Sequence, residues 1–464
     1  MTDTRFEQRE LLSDVTERAV RFLAALPERR VGADPAAVAA LDGWASAKLP
    51  EAGIAPREVI AELDARLSAA TVASAGPRFF GFVHGGSLPA ALAANWLAGA
   101  WDQNAFSSTS SPAAVWIEAL AGAWLLDVLG LPAESAVAFT TGATLANFTA
   151  LAAARRRVLA NVGWDVESEG LFGAPPIRVC VSAESHPSVR KGLGLLGLGR
   201  RRVVELEVDR QGRIRADRLP DLRGPLIVCA QAGNVNSGAC DPFEALAAWC
   251  AERGAWLHVD GAFGLWAQAS ALLQPLTAGV WLADSWATDG HKWLNVPYDC
   301  GIAVVRDAEA LHGAMAFGAP YLPTEARREP FHYGPEASRR ARGMEVYAAL
   351  RSLGRRGLAD LIEGGCRHAR RFAEGLHQAG HAVLNDVVLN QVVVSFGPAE
   401  VDRAVIAAVQ AAGQCWCGPT HWQGRDAMRI SVSGWATREQ DVERSLASIL
   451  ECAAAVLGGR RDPR

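Results

Sequence analysis

Six short, mainly apolar runs alternate with amphipathic helical stretches between residues 136 and 305, and this pattern limits the folds that the chain can adopt. Apolar runs of this length are typical of strands buried on both faces of a sheet. Strands that alternate with helices predict an α/β fold with a mostly parallel, mixed sheet covered by helices on both faces. The runs are residues 136–141, 177–182, 226–231, 256–260, 284–289 and 301–305.

Changes in composition along the chain predict three units. Residues 1–75 carry apolar side chains at helical spacing and predict a helical N-terminal segment, and residues 76–320 hold the large α/β domain. Residues 321–464 predict the end of a mobile loop followed by a small α+β domain with a closing helix at 438–457. The whole loop, at about 310–342, is rich in proline, glycine and charge.

Charge and composition exclude several classes of function. The net charge of -4 provides no basic field for nucleic acid. No apolar run approaches the roughly 20 residues of a membrane span, and the polar start lacks the apolar region of a secretory signal. Nine cysteines lack framework spacing, and no His/Cys cluster has metal-site spacing. We therefore expect a soluble, cytoplasmic protein with reduced cysteines, no metal, and a small-molecule substrate.

Lysine is scarce in this chain. Lysine and arginine together number 46, yet lysine occurs only at Lys48, Lys191 and Lys292. A lysine that is retained where arginine could have served suggests a chemical role for its amine, although any single lysine can be retained by chance.

Four strand ends carry residues of functional type, and ligands of α/β sheets bind at the carboxyl ends of the strands. The first is Thr-Gly-Ala-Thr at 141–144, where the free N–H groups of Gly142, Ala143 and Thr144 at a helix start can bind an anion. An ordinary capped helix start explains the same residues.

The second and third strand ends offer an imidazole and a carboxylate. His186 follows a strand in a polar loop, where it can lie against an aromatic cofactor or have a structural role. Asp260 ends an apolar strand, where a buried carboxylate needs a cationic or donor partner such as a protonated pyridine nitrogen. Gly261 and Ala262 are small enough for a flat ring to lie over them, but a helix-capping aspartate is the alternative.

The fourth strand end is the run 284–293, Asp-Ser-Trp-Ala-Thr-Asp-Gly-His-Lys-Trp. Lys292 lies in an apolar context in which an amine can add to a carbonyl group. His291 beside it can donate a hydrogen bond to a phosphate. A surface lysine at a strand end is the alternative.

These segments, in this order, resemble the group II amino-acid decarboxylases, the family of aromatic amino-acid and glutamate decarboxylases within the fold type I pyridoxal-phosphate enzymes. The similarity covers about residues 75–450, and its most specific parts are the strand end at 258–262, the run at 284–293 and the turn at 233–242. The resemblance implies the fold type I architecture and pyridoxal 5'-phosphate as cofactor.

The resemblance also implies a role for each residue. Lys292 would bind the cofactor covalently and exchange it for the substrate amine, and Asp260 would keep the pyridine nitrogen protonated. His186 would stack on one face of the ring and Ala262 would support the other. The phosphate would be held by Gly142, Ala143, Thr144 and His291, beside Asp289, which stands where family members often have asparagine.

Two positions depart from the family pattern. In the family's Gly-Thr-Thr turn, the second threonine lies near the ring hydroxyl of the cofactor, and Val235 replaces it here. Asn234 or Asn236 would have to supply the hydrogen bond to that hydroxyl. Pro330 stands near the loop tyrosine that reprotonates Cα in the aromatic decarboxylases. Tyr333 is the first candidate to replace that tyrosine, and the alternatives are His332 and Tyr321.

The leading prediction is a pyridoxal-phosphate-dependent lyase that decarboxylates an L-amino acid to its amine. Two other reactions with the same cofactor stay open, namely retro-aldol cleavage of a β-hydroxy amino acid and decarboxylation coupled to oxidation, which yields an aldehyde. A protein that binds the cofactor without catalysis is disfavoured because Lys292 and Asp260 are both retained.

The resemblance also places the substrate and the partner subunit. Phe80, Phe82 and His84 lie where it puts the substrate side chain, and phenylalanine there suggests an apolar or aromatic substrate. Trp101 and Asn104 would line the pocket from a partner subunit, since the family's sites lie at a dimer interface. We therefore expect a homodimer in which residues 1–75 pack across the two-fold axis.

Overall fold

The computed structural model describes residues 4–318 and 328–459. Tyr321, one of the predicted proton donors, lies outside the described residues. The helices are α1 (Thr4–Ala25), α2 (Pro35–Ala45), α3 (Pro56–Leu67), α4 (Pro89–Trp101), α5 (Pro112–Val128), α6 (Ala143–Ala160), α7 (Val166–Glu169), α8 (Pro187–Leu195), α9 (Phe243–Arg253), α10 (Ala308–Met315), α11 (Gly343–Gln378), α12 (Ala399–Ala412) and α13 (Glu439–Gly459).

The strands form two sheets. Their bounds are β1 (Ala136–Thr140), β2 (Arg178–Ser182), β3 (Val203–Leu206), β4 (Leu226–Gln231), β5 (Trp256–Asp260), β6 (Ser285–Asp289), β7 (Gly301–Val305), β8 (Ala382–Val383), β9 (Gln391–Ser395), β10 (Gly418–Trp422) and β11 (Arg425–Ser431).

The large sheet has seven strands in the order β1-β7-β6-β5-β4-β2-β3. β7 pairs antiparallel with β1 and β6, and the other neighbours are parallel. All six predicted runs form strands of this sheet, so the predicted α/β fold with a mixed, mostly parallel sheet is confirmed. β3 was missed because it is a half-exposed edge strand, and its residues do not form a continuous apolar run.

Helices cover both faces of the large sheet, and α6 crosses one of them over β1, β5, β6 and β7. Alternate residues of a strand point to opposite faces. In β5, Leu257 and Val259 join the core on one face, whereas Trp256 joins the core beneath α6 on the other. His258 and Asp260 share the face of Trp256, so polar side chains lie between α6 and the centre of the sheet.

The second sheet is antiparallel, with the order β10-β11-β9-β8. It confirms the predicted small α+β unit and its strands near 392–396 and 428–432. β8 and β10 were missed because β8 has two residues and β10 alternates in burial around polar side chains. The boundaries of the three units at residues 76 and 320 stay a prediction.

Phe80 belongs to the core of this second unit. Its N–H donates to the carbonyl of Trp416 at 2.8 Å, and its carbonyl accepts from Ser431 at 2.9 Å. Its ring is 1 % exposed and meets Phe372 edge-on with 5.1 Å between centroids. The expectation that Phe80 contacts a substrate is therefore replaced by a packing role, because its side chain points into this core.

Neither a membrane span nor a metal centre is found within 4–318 and 328–459. No helix there is long and apolar enough to cross a membrane. No group of His, Cys, Asp or Glu side chains in those ranges is arranged to hold a metal ion. All nine cysteines are unpaired.

Candidate active site

Six strands of the large sheet direct their carboxyl ends to one edge, and β3 is among them because it is parallel to β2. β4, β5, β6 and β2 are parallel, and β1 is parallel to β6 because both oppose β7. The segments that follow these strands therefore meet at the same edge, where α/β proteins bind their ligands. This edge is the candidate active site.

Lys292 lies three residues beyond the end of β6, in the turn that precedes β7. Its Nζ is 3.0 Å from Oδ2 of Asp289, and the two side chains are 19 % and 3 % exposed. The other carboxylate oxygen of Asp289 accepts the N–H of Ala143 at 2.6 Å. Asp289 thus joins the predicted lysine to the start of α6.

The predicted anion site is built around the start of α6. A side chain at Gly142 would meet Cε1 of His291 at 3.3 Å, so glycine allows these segments to approach. Nδ1 of His291 accepts the N–H of Cys300 at 3.0 Å, which leaves the hydrogen on Nε2. Nε2 lies 3.5 Å from Oδ1 of Asp289. Thr144 follows in the first turn of α6 and is half-buried.

His186 caps the start of α8, directly after β2. Its Nδ1 lies 2.7 Å from Oγ of Ser188 and accepts the N–H of that residue at 3.2 Å. Burial lowers the pKa of the His186 imidazole, and the charge of Asp260 partly opposes this effect. The predicted ring-stacking histidine therefore lies beside Asp260, and its ring is held by the helix start.

Asp260, at the end of β5, is 5 % exposed. Its Oδ1 accepts the N–H of Ala262 at 3.2 Å, and its Oδ2 accepts from Nδ2 of Asn147 at 3.1 Å. Asn147 had no role in the sequence-based reasoning, although it is a fully buried amide on a helix whose buried face is otherwise mainly apolar. A polar amide at a position on the mainly apolar face of α6 was the signal that could have identified Asn147 from the sequence.

The turn after β4 uses one of the two asparagines that could replace the family threonine at Val235. Oδ1 of Asn234 accepts the N–H groups of Asn236 and Ser237, and its Nδ2 donates to Glu184 at 3.0 Å. Both ends of the Asn234 amide are therefore engaged in closing the turn. Oδ1 of Asn236 accepts from Thr420 at 2.6 Å, so its Nδ2 remains the candidate for the missing hydrogen bond.

A row of aromatic rings leads away from His291. The ring of Tyr298 lies 4.4 Å from that of His291 and 5.2 Å from that of His84. His84 is followed by Phe82 at 5.8 Å, and Phe82 by Trp416 at 5.1 Å. The structure thus joins the predicted substrate residues Phe82 and His84 to the lysine cluster. Tyr298 and Trp416, which complete the row, were not foreseen.

The residues expected to act across a dimer interface lie elsewhere in this single chain. Trp101 ends α4 and is 55 % exposed. Asn104 accepts the N–H of Arg339 at 2.9 Å, so it holds the backbone near the end of the predicted loop.

Tyr333 packs on the large sheet. Its ring lies against small side chains of β1, α6, β6 and β7, and the guanidinium of Arg328 stacks over it at 4.0 Å. His332 faces His312 of α10 with 5.1 Å between ring centroids. Neither side chain has a contact here that establishes a role as proton donor, so that role stays a prediction.

The residues at this edge fit pyridoxal phosphate. The site has an amine on Lys292, a buried carboxylate on Asp260 and a glycine-lined helix start. Nε2 of Gln231, which lies opposite Asp260 in the sheet, and Nδ1 of His84 are buried and have no hydrogen-bond partner in the part of the chain that the structure describes. Both atoms are available to form a hydrogen bond with a bound group. Asp289 has the same sign of charge as a phosphate, and its carboxylate accepts the N–H of Ala143 and lies 3.0 Å from Nζ of Lys292.

Comparison with known proteins identifies the family. The pyridoxal-dependent decarboxylase conserved domain matches residues 45–396. The chain is 28 % identical to an aromatic-L-amino-acid decarboxylase of Bacillus atrophaeus, over 71 % of this chain and 69 % of that protein. It is 29 % identical to an L-2,4-diaminobutyrate decarboxylase of Rhizobium meliloti, over 87 % of this chain and 83 % of that protein.

Solved structures support the same fold. A crystal structure of Oryza sativa TDC with PLP and tryptamine superimposes with a TM-score of 0.90 and 22 % identity, covering 97 % of this chain and 98 % of that one. The mixed sheet and the small antiparallel sheet agree with the fold of that structure. The chain belongs to the pyridoxal-dependent decarboxylase family.

Proposed function

We propose that this protein is a pyridoxal-phosphate-dependent lyase that removes the α-carboxyl group of an L-amino acid to give the amine. The observation that carries the proposal is the convergence of Lys292, Asp260 and His186 at one edge of the sheet, in a chain of this family. The bound cofactor would supply the electron sink for cleavage at Cα, and the protein would choose which bond breaks.

Each residue of the cluster has a task in this proposal. Lys292 provides the amine that attaches the cofactor. Asp260, held by Asn147 and Ala262, would place its carboxylate next to the ring nitrogen and keep that nitrogen protonated. His186 covers one face of the ring and Ala262 the other. The phosphate contacts fall to Gly142, Ala143, Thr144 and His291, with Asp289 beside them.

The substrate side chain is proposed to lie along Phe82 and His84, with Trp101 contributed by a partner subunit. The aromatic row around His84 favours an aromatic or apolar side chain. Tyr333 is the proposed source of the proton that returns to Cα, with His332 and Tyr321 as alternatives. Without such a donor, retro-aldol cleavage or oxidation to an aldehyde becomes competitive.

The active form is proposed to be a cytoplasmic homodimer. Large apolar side chains on α1, α4 and α5 are exposed in the single chain, which is typical of an interface rather than of free surface. Their exposed fractions are 57 % for Leu12, 57 % for Val20, 52 % for Leu97, 55 % for Trp101 and 65 % for Trp116. Nine unpaired cysteines favour a reducing compartment such as the cytoplasm.

The products of the reaction test this proposal. The purified protein with added pyridoxal phosphate is incubated with each amino acid carrying a ¹³C-labelled carboxyl group, and ¹³CO₂ and organic products are measured by mass spectrometry. Labelled carbon dioxide with an equal amount of amine supports decarboxylation. Carbon dioxide with aldehyde indicates the oxidative reaction, and glycine with aldehyde from a β-hydroxy substrate indicates retro-aldol cleavage. Lys292→Ala is the control.

A further inference from the structure

A row of polar side chains runs along β5 beneath α6. Trp256, His258 and Asp260 alternate along the strand, so all three point to the face that α6 covers. Ser285 of β6 is paired in register with His258. His258, Ser285 and Asn147 of α6 are completely buried.

Hydrogen bonds join these side chains in one continuous chain. Nε1 of Trp256 donates to Oγ of Ser285 at 2.8 Å, and Oγ of Ser285 lies 2.9 Å from Nδ1 of His258. Nε2 of His258 lies 2.8 Å from Oδ1 of Asn147. Nδ2 of Asn147 then donates to Oδ2 of Asp260 at 3.1 Å.

The chemistry of the two ends fixes the direction of every bond. The carboxylate of Asp260 accepts the hydrogen of Nδ2 of Asn147, so the oxygen of that amide faces His258. That oxygen requires a hydrogen on Nε2 of His258, which leaves Nδ1 as an acceptor for the Ser285 hydroxyl. The indole N–H of Trp256 only donates, so the Ser285 oxygen accepts it. The Ser285 hydrogen is then free to bond Nδ1 of His258. All donors therefore point towards Asp260.

The imidazole of His258 is neutral in this arrangement. Complete burial lowers its pKa to about 3, because a buried cation loses its hydration. A neutral ring carries one hydrogen, and the neighbours require that hydrogen on Nε2.

We propose that His258 is a positioning residue for the reaction, which acts through Asn147 to hold the carboxylate of Asp260 in the orientation that the cofactor's ring nitrogen needs. This inference rests on the proposed role of Asp260. Aligned hydrogen bonds polarise one another, so each link strengthens the last bond, to the carboxylate. Without His258, the Asn147 amide has no donor for its oxygen and is free to turn that oxygen towards Asp260.

The tautomer of His258 is the first test, and it needs no substitution. The full-length protein with ¹⁵N-labelled histidine is studied by NMR, with and without added pyridoxal phosphate, and the His258 signals are assigned by comparison with His258→Phe. We expect a neutral ring with hydrogen on Nε2 in both states. Hydrogen on Nδ1, or a charged ring at neutral pH, would overturn the directed chain.

Three variants then separate positioning from packing. His258→Phe keeps a flat ring but removes both nitrogens, whereas His258→Gln keeps an N–H and an oxygen near their positions. Thr277→Val is the matched control, because it removes a buried hydrogen bond from Gln268 at 2.8 Å that is not connected to Asp260. Thermal unfolding reports the structural cost of each variant.

The dissociation constant of pyridoxal phosphate is the deciding measurement. We expect about a tenfold increase for His258→Phe, which corresponds to about 1.4 kcal/mol. His258→Gln should recover most of the affinity, and Thr277→Val should bind like the wild type even if it unfolds at a lower temperature. Equal affinity in His258→Phe and Thr277→Val would overturn the proposal.

The two proposals fail differently. A wild-type protein that binds pyridoxal phosphate but releases no carbon dioxide from any amino acid contradicts the proposed function alone. An active wild type whose His258→Phe variant binds the cofactor normally contradicts only the positioning role.

Discussion

Two arginine–glutamate pairs, each with two hydrogen bonds of similar length, allow the effect of burial on an ion pair to be measured within one protein. Arg339 bonds both oxygens of Glu118 at 2.5 and 2.6 Å, and the two side chains are 4 % and 5 % exposed. Arg371 bonds both oxygens of Glu443 at 2.6 and 2.7 Å, with 38 % and 45 % exposure. The pairs differ mainly in their access to water.

Glu118→Gln should lower the free energy of unfolding by about 3–5 kcal/mol, because it leaves the guanidinium of Arg339 buried without its counter-charge. Glu443→Gln should cost less than about 1 kcal/mol, since water screens and solvates the exposed partner. Replacing Glu118 and Arg339 together by methionine should recover much of the loss, because no unpaired charge remains in the interior.

Urea unfolding at one protein concentration, followed by far-ultraviolet circular dichroism, measures these differences. The wild type and the variants should unfold with similar slopes in urea, so that the midpoints report stability. Equal losses in Glu118→Gln and Glu443→Gln would refute the reasoning that burial sets the magnitude. The pair matters for function because Arg339 lies near the end of the predicted loop and ties it to α5.

Three further predictions concern the proposed chemistry. Lys292→Ala should abolish both the absorbance of attached cofactor and product formation, because Lys48 and Lys191 lie outside the strand-end cluster; spectra that match the wild type would contradict this. Asp260→Asn, assayed at saturating cofactor, should lower kcat by about 100-fold or more, because a neutral amide cannot balance a charged ring nitrogen. Tyr333→Phe should reduce amine and raise aldehyde in the product assay, and an unchanged product ratio would direct attention to the alternative donors.

The strand-end cluster could be predicted because it depends on short-range pattern and on one rule of topology. Each apolar run identifies a strand from its own residues, and strands alternating with helices are parallel. Residues that follow parallel strands must then meet at one edge, so the sequence alone predicts that Lys292, Asp260 and Gly142 lie together. This rule does not predict Asn147 and His258, because both lie within an element rather than at its end.

Phe80 and Asn234 show a second kind of limit. The resemblance places Phe80 and Phe82 together at the substrate side chain, but Phe82 lies in a turn with a φ of 54° and faces other partners than Phe80 does. The backbone of Phe80 is bonded to residues 416 and 431, whereas Phe82 belongs to the aromatic row. Asn234 was a candidate for cofactor contact until its turn engaged both ends of the amide.

The sequence by itself determined the fold class and the edge of the sheet at which Lys292 and Asp260 meet, because hydrophobic periodicity and strand ends are local properties of the chain. Only the tertiary structure decided which side chains form the hydrogen bonds that lead to Asp260 beneath α6. Asn147 and Asp260 are 113 residues apart, and Asn147 and His258 are 111 apart. Their contact depends on which helix crosses β5 and at what register, and that is set by the packing of the whole sheet rather than by either segment.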